Sequence, residues 1–203
     1  MKKWHDFSAL LMIVFAVHLT SGCSISPEDG LVLDSFEGPI DASTLEYGAA
    51  SGSTIKVQAD RDIKECGQQA LRLEYELMPK EYMYCARGYG LDVLGAIWEG
   101  PAPDKIDWQK YQGITFDMYG NTNGMLAFDV KDAGGELWRF LIEDRFVGWT
   151  VINCPFSEFK VRDDWQPTTA DGNKVLDFPI QSFQWEPKTP GKGIFYFDCL
   201  KLK

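Results

Sequence analysis

Histidine is almost absent from this chain of 203 residues: the two that it has, His5 and His18, both lie within the first 20 positions. If that segment is removed by processing, the mature protein contains no imidazole. A Ser-His-Asp or Cys-His nucleophile system, or a His-ligated zinc site, then cannot be built. The sequence also lacks a phosphate-cradling glycine loop and a cluster with metal-ligand spacing. No spacing singles out a catalytic pair among the acidic residues, so we expect no enzyme and no catalytic residues.

Positive charge is also scarce, since 20 Lys and Arg residues face 30 Asp and Glu residues and the net charge is −10. Such an acidic protein offers little electrostatic attraction to the phosphate backbone of a nucleic-acid duplex. Nucleic acid is therefore excluded as an expected partner. The 45% of hydrophobic residues, of which aromatic rings form a large part, are sufficient for one well-buried domain.

Long hydrophobic runs are missing, because the one apolar stretch, residues 9–17, is too short for the roughly 20 residues of a membrane-spanning helix. Two lysines precede it, which is typical of a signal-peptide core. The next residues, Leu-Thr-Ser-Gly-Cys at 19–23, resemble the bacterial lipobox. That resemblance implies a lipoprotein signal peptide at 1–22. An ordinary secretory signal is the alternative.

A lipobox implies that Cys23 carries the lipid, palmitate among its acyl chains, and holds the protein on a membrane. Ser24 follows the cysteine where an aspartate would resemble an inner-membrane retention signal, and therefore favours the outer membrane of the cell envelope. Residues 23–30 are predicted to be a tether, and residues 31–203 the folded domain.

Four cysteines remain once Cys23 is acylated: Cys66, Cys85, Cys154 and Cys199. An oxidising compartment permits disulfides among them, in any of three pairings. If residues 68–77 and 82–90 are continuous strands joined by a turn, Cys66 lies far from that turn while Cys85 lies near it, which disfavours this pair. Buried free thiols are the alternative.

Short segments with period-two alternation, divided by turn residues, run through the whole domain, and no window sustains a helical period. This pattern predicts an all-β fold, a β-sandwich of the jelly-roll type. We expect an exposed loop at 160–173 and strands at 31–33, 70–77, 82–90, 114–119, 125–131, 136–143, 149–153, 180–185 and 194–202.

In the predicted hairpin at 125–143, apolar and polar residues alternate along each strand, which assigns them to opposite faces. One face is apolar and is predicted to be core: Leu126, Phe128, Val130, Trp138, Phe140 and Ile142. The opposite face is polar and suits sugar hydroxyls, because carboxylates accept and Arg and Lys donate. The candidate ligand-binding residues are Asp129, Lys131, Arg139 and Glu143, with Arg87 and Tyr89 from the 82–90 strand.

Arg139 is the sharpest of these candidates, since its planar fork can donate to two adjacent hydroxyls. Because a polar face is predicted, Arg139→Ala is expected to leave folding nearly intact. A solvated outer face with charge pairs is the alternative interpretation.

Tryptophans are the other candidates for sugar contacts. Trp138, Trp149 and Trp185 are spaced with core residues, so packing explains them better. Trp98 and Trp108 flank a Gly-Pro-Ala-Pro loop at 100–103 and could contact a ligand at its rim.

Several strands resemble those of carbohydrate-binding module family 11 and of the complex I intermediate-associated protein family, both built on a galactose-binding-like jelly roll. The matching segments are VLDSFE at 32–37, ALRLEY at 70–75, GITFD at 113–117, GWT at 148–150, PFSEF at 155–159 and GIFYFD at 193–198. The resemblance implies a non-catalytic domain that binds a polysaccharide or oligosaccharide. A scaffolding lipoprotein with a protein partner is the alternative, and a sugar-active enzyme using two acids is a third.

A structural calcium near the two ends of the domain is also implied by this resemblance. Asp34, Glu37 and Asp198 are its candidate ligands, since calcium prefers oxygen. Cys199 stands where family members often carry a second aspartate. Turn capping and solvated strand ends are the alternative.

Overall fold

The computed structural model describes residues 30–203. The predicted signal peptide at 1–22, the lipidation site at Cys23 and all of the tether except Gly30 lie outside the described residues. Within 30–203, no helix has both the length and the apolar character needed to cross a membrane.

Twelve strands, β1 to β12, make up the described chain, and three single 3-10 turns, at Pro103–Lys105, Trp108–Lys110 and Phe156–Glu158, interrupt its loops. The strands are, in order, Leu31–Asp34, Glu46–Ala49, Thr54–Asp60, Ala70–Leu77, Met83–Gly88, Gly113–Asn121, Gly124–Lys131, Leu137–Asp144, Val147–Pro155, Lys160–Val161, Ser182–Pro187 and Gly191–Leu202.

These strands form two antiparallel sheets of six strands each. Sheet 1 has the order β3-β4-β12-β6-β9, with β1 also paired to β12, and sheet 2 has the order β10-β8-β7-β11-β5-β2. The prediction of an all-β jelly-roll sandwich is confirmed. Strands β2, β3 and β10 were not predicted, because they are short or carry few apolar residues.

The core lies between the sheets and consists largely of aromatic rings. Trp185 of sheet 2 stacks on Phe197 of sheet 1 with 4.1 Å between ring centroids. Phe116 and Phe128 make a second contact between the sheets, at 4.8 Å. The six hairpin residues predicted to be core all belong to this cluster or pack against it. Burial of rings of this size dominates the stability of a sandwich.

The tryptophans are distributed differently from the prediction. Trp98 and Trp108 are buried, with 2% and 6% of their surface exposed, so they are not rim contacts. The loop between β5 and β6 folds over the end of the sandwich, where Trp98 stacks parallel to Phe183. Trp149, predicted to pack in the core, is half-buried and pairs with Tyr119 instead. A period-two pattern separates the faces of an edge strand but does not say which face is inside.

The disulfide joins Cys66 to Cys199, whose Cα atoms are 6.5 Å apart. It ties the loop after β3 to the last strand, at a bulge where the register of β12 shifts between Asp198 and Lys201. A bulge re-aims a side chain, and Cys199 accordingly has a positive φ of 49°. Cys85 and Cys154 are buried free thiols. The argument against a Cys66–Cys85 pair is confirmed.

Candidate functional site

The outer face of sheet 2 is the surface on which the polar residues of the hairpin lie. Strand pairing places Arg139 of β8 beside Asp129 of β7, Asp129 beside Gln184 of β11, and Gln184 beside Ala86 of β5. Because alternate residues of a strand point to opposite faces, all of them point away from the core. We call this surface the polar face.

An ion-pair network occupies the centre of the polar face. Arg139 donates to both oxygens of Asp129, from Nε at 2.8 Å and from Nη2 at 2.9 Å, and it also contacts Glu186. Arg162 donates from Nη1 to Asp129 Oδ2 at 3.0 Å. Asp129 is wholly buried and Glu186 is 3% exposed. The two guanidinium groups therefore neutralise two carboxylates that water hardly reaches.

Asp164 completes the network at its exposed side. Arg162 donates from Nε to Asp164 Oδ1 at 2.8 Å, and Arg139 donates from Nη1 to Oδ2 at 3.0 Å. The hydrogen bonds from Arg162 are the main reason why the pKa of Asp164 lies well below its usual range. Although burial opposes it, the hydrogen bonds to Asp129 raise the pKa of Arg139 above its ordinary value. Asp164 and Arg139 are therefore charged at neutral pH.

The loop after β10 supplies one aromatic edge of the polar face. Trp165 is 58% exposed, and the guanidinium carbon of Arg162 lies 6.0 Å from the centre of its ring. Gln166 anchors this loop to β8, because its Oε1 accepts from the N–H of Leu137 and its Nε2 donates to the carbonyl of the same residue. The indole is thus presented to solvent by a loop that Gln166 fixes to β8.

Tyrosines supply an aromatic edge toward β2. The ring of Tyr84 lies against Gly48, where a Cβ would come within 3.3 Å of it. Its hydroxyl donates to Glu46 Oε1 at 3.4 Å. Tyr82, just before β5, is 59% exposed. The polar face therefore has aromatic rings toward both edges and hydrogen-bonding groups between them.

The predicted ligand-binding residues of the hairpin lie on this face, but only two are in its centre. Asp129 and Arg139 are cross-strand partners. Lys131 is nearer one end, where its Nζ donates to the carbonyl of Gly90 at 3.3 Å. Glu143 is nearer the other end, exposed and paired with Arg145.

Arg87 and Tyr89 do not belong to the polar face. Arg87 pairs with Phe183, which is a core residue, and it is only 3% exposed. Its Nη1 donates to Asp34 Oδ1 at 3.0 Å. Tyr89 packs edge-on against Trp98 at 5.2 Å. Their placement was wrong because a buried arginine with a buried partner has the same sequence pattern as an exposed one.

The predicted calcium ligands do not converge in the structure. Glu37 Oε1 accepts from the N–H groups of Gln68 and Gln69, and Asp198 Oδ2 accepts from those of Glu65 and Cys66. Asp34 is the partner of Arg87 and leaves one buried oxygen, Oδ2, without a hydrogen bond.

Among the described residues, potential metal ligands come within 4.8 Å of one another at Cys66, Asp198 and Cys199. Two of these form the disulfide, so neither offers a thiolate. The predicted set Asp34, Glu37 and Asp198 therefore does not fit a calcium site; calcium binding itself stays a prediction.

Residues outside the hairpin contribute most of the site, and the sequence analysis missed them: Tyr84, Arg162, Asp164, Trp165, Gln184 and Glu186. The run Arg-Asp-Asp-Trp at 162–165 was a usable signal, because it places a cation, acids and an indole together in a loop. It was assigned only to an exposed loop.

A two-sheet antiparallel sandwich with a polar, aromatic-edged outer face defines the class of β-sandwich carbohydrate-binding domains. The carbohydrate-binding domain of family 11 matches residues 24–203, and the chain belongs to that family. The predicted resemblance is thereby confirmed. The domain is a carbohydrate-binding module, a class that is non-catalytic by itself.

Relatives of known structure share the fold. The family 11 module of cellulosomal cellulase Lic26A-Cel5E of Clostridium thermocellum is 22% identical, with a TM-score of 0.66 over 85% of this chain and 93% of that one. A family 11 module of the same organism in complex with a beta-1,3-1,4-mixed-linked tetrasaccharide is 23% identical, with a TM-score of 0.66 over 85% and 94%.

Endoglucanase H of Acetivibrio thermocellus is 29% identical in an alignment of 180 residues that covers 84% of this chain and 18% of that enzyme. The chain thus spans about a fifth of the length of this relative.

Proposed function

We propose that this chain is a non-catalytic β-glucan-binding domain of a bacterial cell-envelope lipoprotein, and that the glucan lies across the polar face. The observation that carries the proposal is the central ion-pair network beside the exposed indole of Trp165. A related module has been solved with a mixed-linkage tetrasaccharide, which supports a glucan as the ligand class.

The polar face suits a chain of sugars for two physical reasons. Exposed rings at its edges can cover the apolar C–H faces of the sugar rings. Between them, half-exposed groups such as Asp164 and Gln184 can exchange hydrogen bonds with hydroxyls. The buried acids hold the guanidinium groups of Arg139 and Arg162 in one orientation, so little side-chain entropy is lost on binding.

On the polar face, catalysis is disfavoured by the state of the acids. Acid-base hydrolysis of a glycoside requires a carboxyl group that is still protonated near neutral pH. The pKa of Asp164 is lowered instead, mainly by Arg162, and Asp129 and Glu186 are engaged by guanidinium groups. This arrangement supports binding without bond cleavage.

The envelope location rests on the sequence pattern at 9–23. Lipid on Cys23 would hold the domain at the membrane, and a tether of about eight residues would let it face its glycan.

The decisive experiment is calorimetric titration with soluble mixed-linkage β-1,3-1,4-glucan. Trp165→Ala should weaken binding by about 2 kcal/mol, about thirtyfold, because an exposed aromatic that contacts ligand is a hot spot. It should leave the melting temperature unchanged. Val175→Ala is the control, since Val175 is equally exposed, at 57% against 58%, and belongs to none of the strands that form the polar face.

Equal affinity of the wild type and Trp165→Ala would place the site elsewhere. If the wild type bound no glucan or other glycan, the scaffolding alternative with a protein partner would be favoured.

A further inference from the structure

The outer face of sheet 1, on the opposite side of the sandwich, carries a row of aromatic side chains across three strands. Trp149 of β9 pairs with Tyr119 of β6, and Tyr119 pairs with Tyr196 of β12. Arg72 of β4 is the next residue in the same row. Both pairs of rings are edge-on, with 5.6 Å between centroids. We call this set the aromatic row.

The aromatic row lies outside the core and has apolar neighbours on the edge strand. Trp149 and Tyr119 are half-buried, while Val147 and Val151, on either side of Trp149, are 71% and 57% exposed. Sandwich packing does not need rings on this side. Exposed apolar surface of this kind marks a place for a ligand or a partner.

A cavity of about 550 Å³ lies one step along the same strands, because its lining residues Glu74, Asn121 and Ile194 are each two positions from a member of the aromatic row. It opens where β6 ends at Asn121 and the chain turns away from β12. Asn123 holds this turn, since its Nδ2 donates to the carbonyl of Ile194 at 3.0 Å. Side chains that can donate or accept line the cavity: Lys56, Glu74, Glu76, Asn121, Asn123 and Lys192. Its volume falls within the range of small-molecule sites.

The charges that line the cavity cancel, since Lys56 and Lys192 face Glu74 and Glu76. Lys192 pairs with Glu76 at 3.1 Å. A surface without net charge gives no advantage to an anion or a cation. Donors and acceptors in equal supply next to aromatic rings suit a neutral ligand that is rich in hydroxyl groups.

We propose that the aromatic row and its cavity form a second carbohydrate-binding site, which takes a neutral oligosaccharide independently of the polar face. Trp149 and Tyr119 stack on sugar rings, and the side chains of the cavity bind hydroxyls of the next units. With sites on opposite outer faces, one molecule can engage two glycan chains, and its avidity for a polysaccharide exceeds its affinity for a short oligosaccharide.

The test is calorimetry with a β-glucan tetrasaccharide on the whole chain, using Trp165→Ala to weaken the polar face. We expect two ligands per wild-type molecule and one per Trp165→Ala molecule. Adding Lys192→Gln to Trp165→Ala should weaken the remaining site about tenfold, because one charge-assisted hydrogen bond is lost. Lys110→Gln is the matched control: its side chain is 71% exposed, against 76% for Lys192, and it lies away from the cavity.

Nuclear magnetic resonance provides a readout that does not depend on a variant of the row. On titration of Trp165→Ala with the tetrasaccharide, the indole N–H signal of Trp149 should shift and saturate. One ligand per wild-type molecule, or a Trp149 signal that does not move, would overturn the proposal. Self-association of the wild type that Val151→Ala abolishes would overturn it too, because the face would then be a protein interface.

Discussion

Arg139 illustrates how a residue on a polar face can support the fold. It donates to Asp129, Glu186 and Asp164, and only 13% of its side chain is exposed. The sequence analysis expected Arg139→Ala to leave folding nearly intact, which holds for a solvated arginine. The structure instead makes Arg139 the partner of two buried acids.

We therefore predict that Arg139→Ala lowers the free energy of unfolding by about 3–5 kcal/mol, since it leaves buried carboxylates with one guanidinium fewer. Urea denaturation at neutral pH measures it. Lys188→Ala is the control, because Lys188 contacts the same Glu186 but is 32% exposed; its cost should be below about 1 kcal/mol. An equally small cost for Arg139→Ala would contradict the prediction.

Asp34 is the second residue whose environment has a measurable consequence. Burial raises the pKa of this carboxyl to about 7, although Arg87 lowers it. The pKa of an unfolded aspartate is about 3.9. The folded state therefore holds the proton more tightly, and the stability this contributes is present below about pH 4 and lost as the pH rises to about 7.

Asp34→Asn keeps the side chain neutral at every pH. We predict that the wild type loses stability relative to Asp34→Asn between pH 4 and 7, with a slope of at most about 1.4 kcal/mol per pH unit. Denaturation of both proteins at several pH values tests this. Parallel curves would show that Asp34 is already ionised throughout that range.

At the scale of the element, the loop after β3 shows how a disulfide and a carboxylate act on one segment. Cys66 is bonded to Cys199, and Asp198 accepts from the backbone of Glu65 and Cys66. The bond closes a sequence separation of 133 residues, so its loss frees a large part of the unfolded chain.

Replacing both cysteines, Cys66→Ser with Cys199→Ser, is predicted to cost about 2–5 kcal/mol of stability. Dithiothreitol should lower the melting temperature of the wild type and leave that of the double variant unchanged. An identical response of both proteins to the reductant would contradict the prediction.

The same melting experiment tests calcium. Calcium binding stays a prediction of the family resemblance: added calcium should raise the melting temperature and a chelator should lower it, since a ligand that binds only the native state stabilises it. An unchanged melting temperature under both conditions would contradict it and would leave Glu37 and Asp198 as acceptors of backbone hydrogen bonds alone.

At the scale of the whole molecule, the sandwich has two outer faces with different chemistry. One has a buried ion-pair network with aromatic rings toward its edges; the other has an aromatic row beside a neutral cavity. Because both belong to one domain, the two faces are held a fixed distance apart.

Attachment to a membrane is the prediction for the full chain. Cys23→Ser should give a soluble, unacylated protein, because the acyl chains are the proposed anchor. Detergent partitioning and mass spectrometry of the N-terminus measure it. A wild type that is soluble with an intact N-terminal segment would rule out lipidation.

The sequence by itself determined the class of fold and the face of the hairpin that is polar. Alternation with period two is local, so Asp129 and Arg139 could be placed on one face, with Phe128 and Trp138 behind them, without knowledge of the rest. The resemblance of several strands to family 11 then indicated the ligand class.

Tertiary structure decided which residues surround that hairpin. Arg162 and Trp165 reach it from a loop, and Glu186 reaches it from β11, whose Gln184 pairs with Asp129 of β7, 55 residues earlier in the chain. The sequence pattern of Arg87 suggested an exposed side chain, but Arg87 is buried and pairs with Asp34. That pair could not be read from the pattern, because the two residues are 53 positions apart. The alternation of polar and apolar residues along one strand separates its two faces. Contacts between distant segments decide which face points into the core and which further residues complete the site.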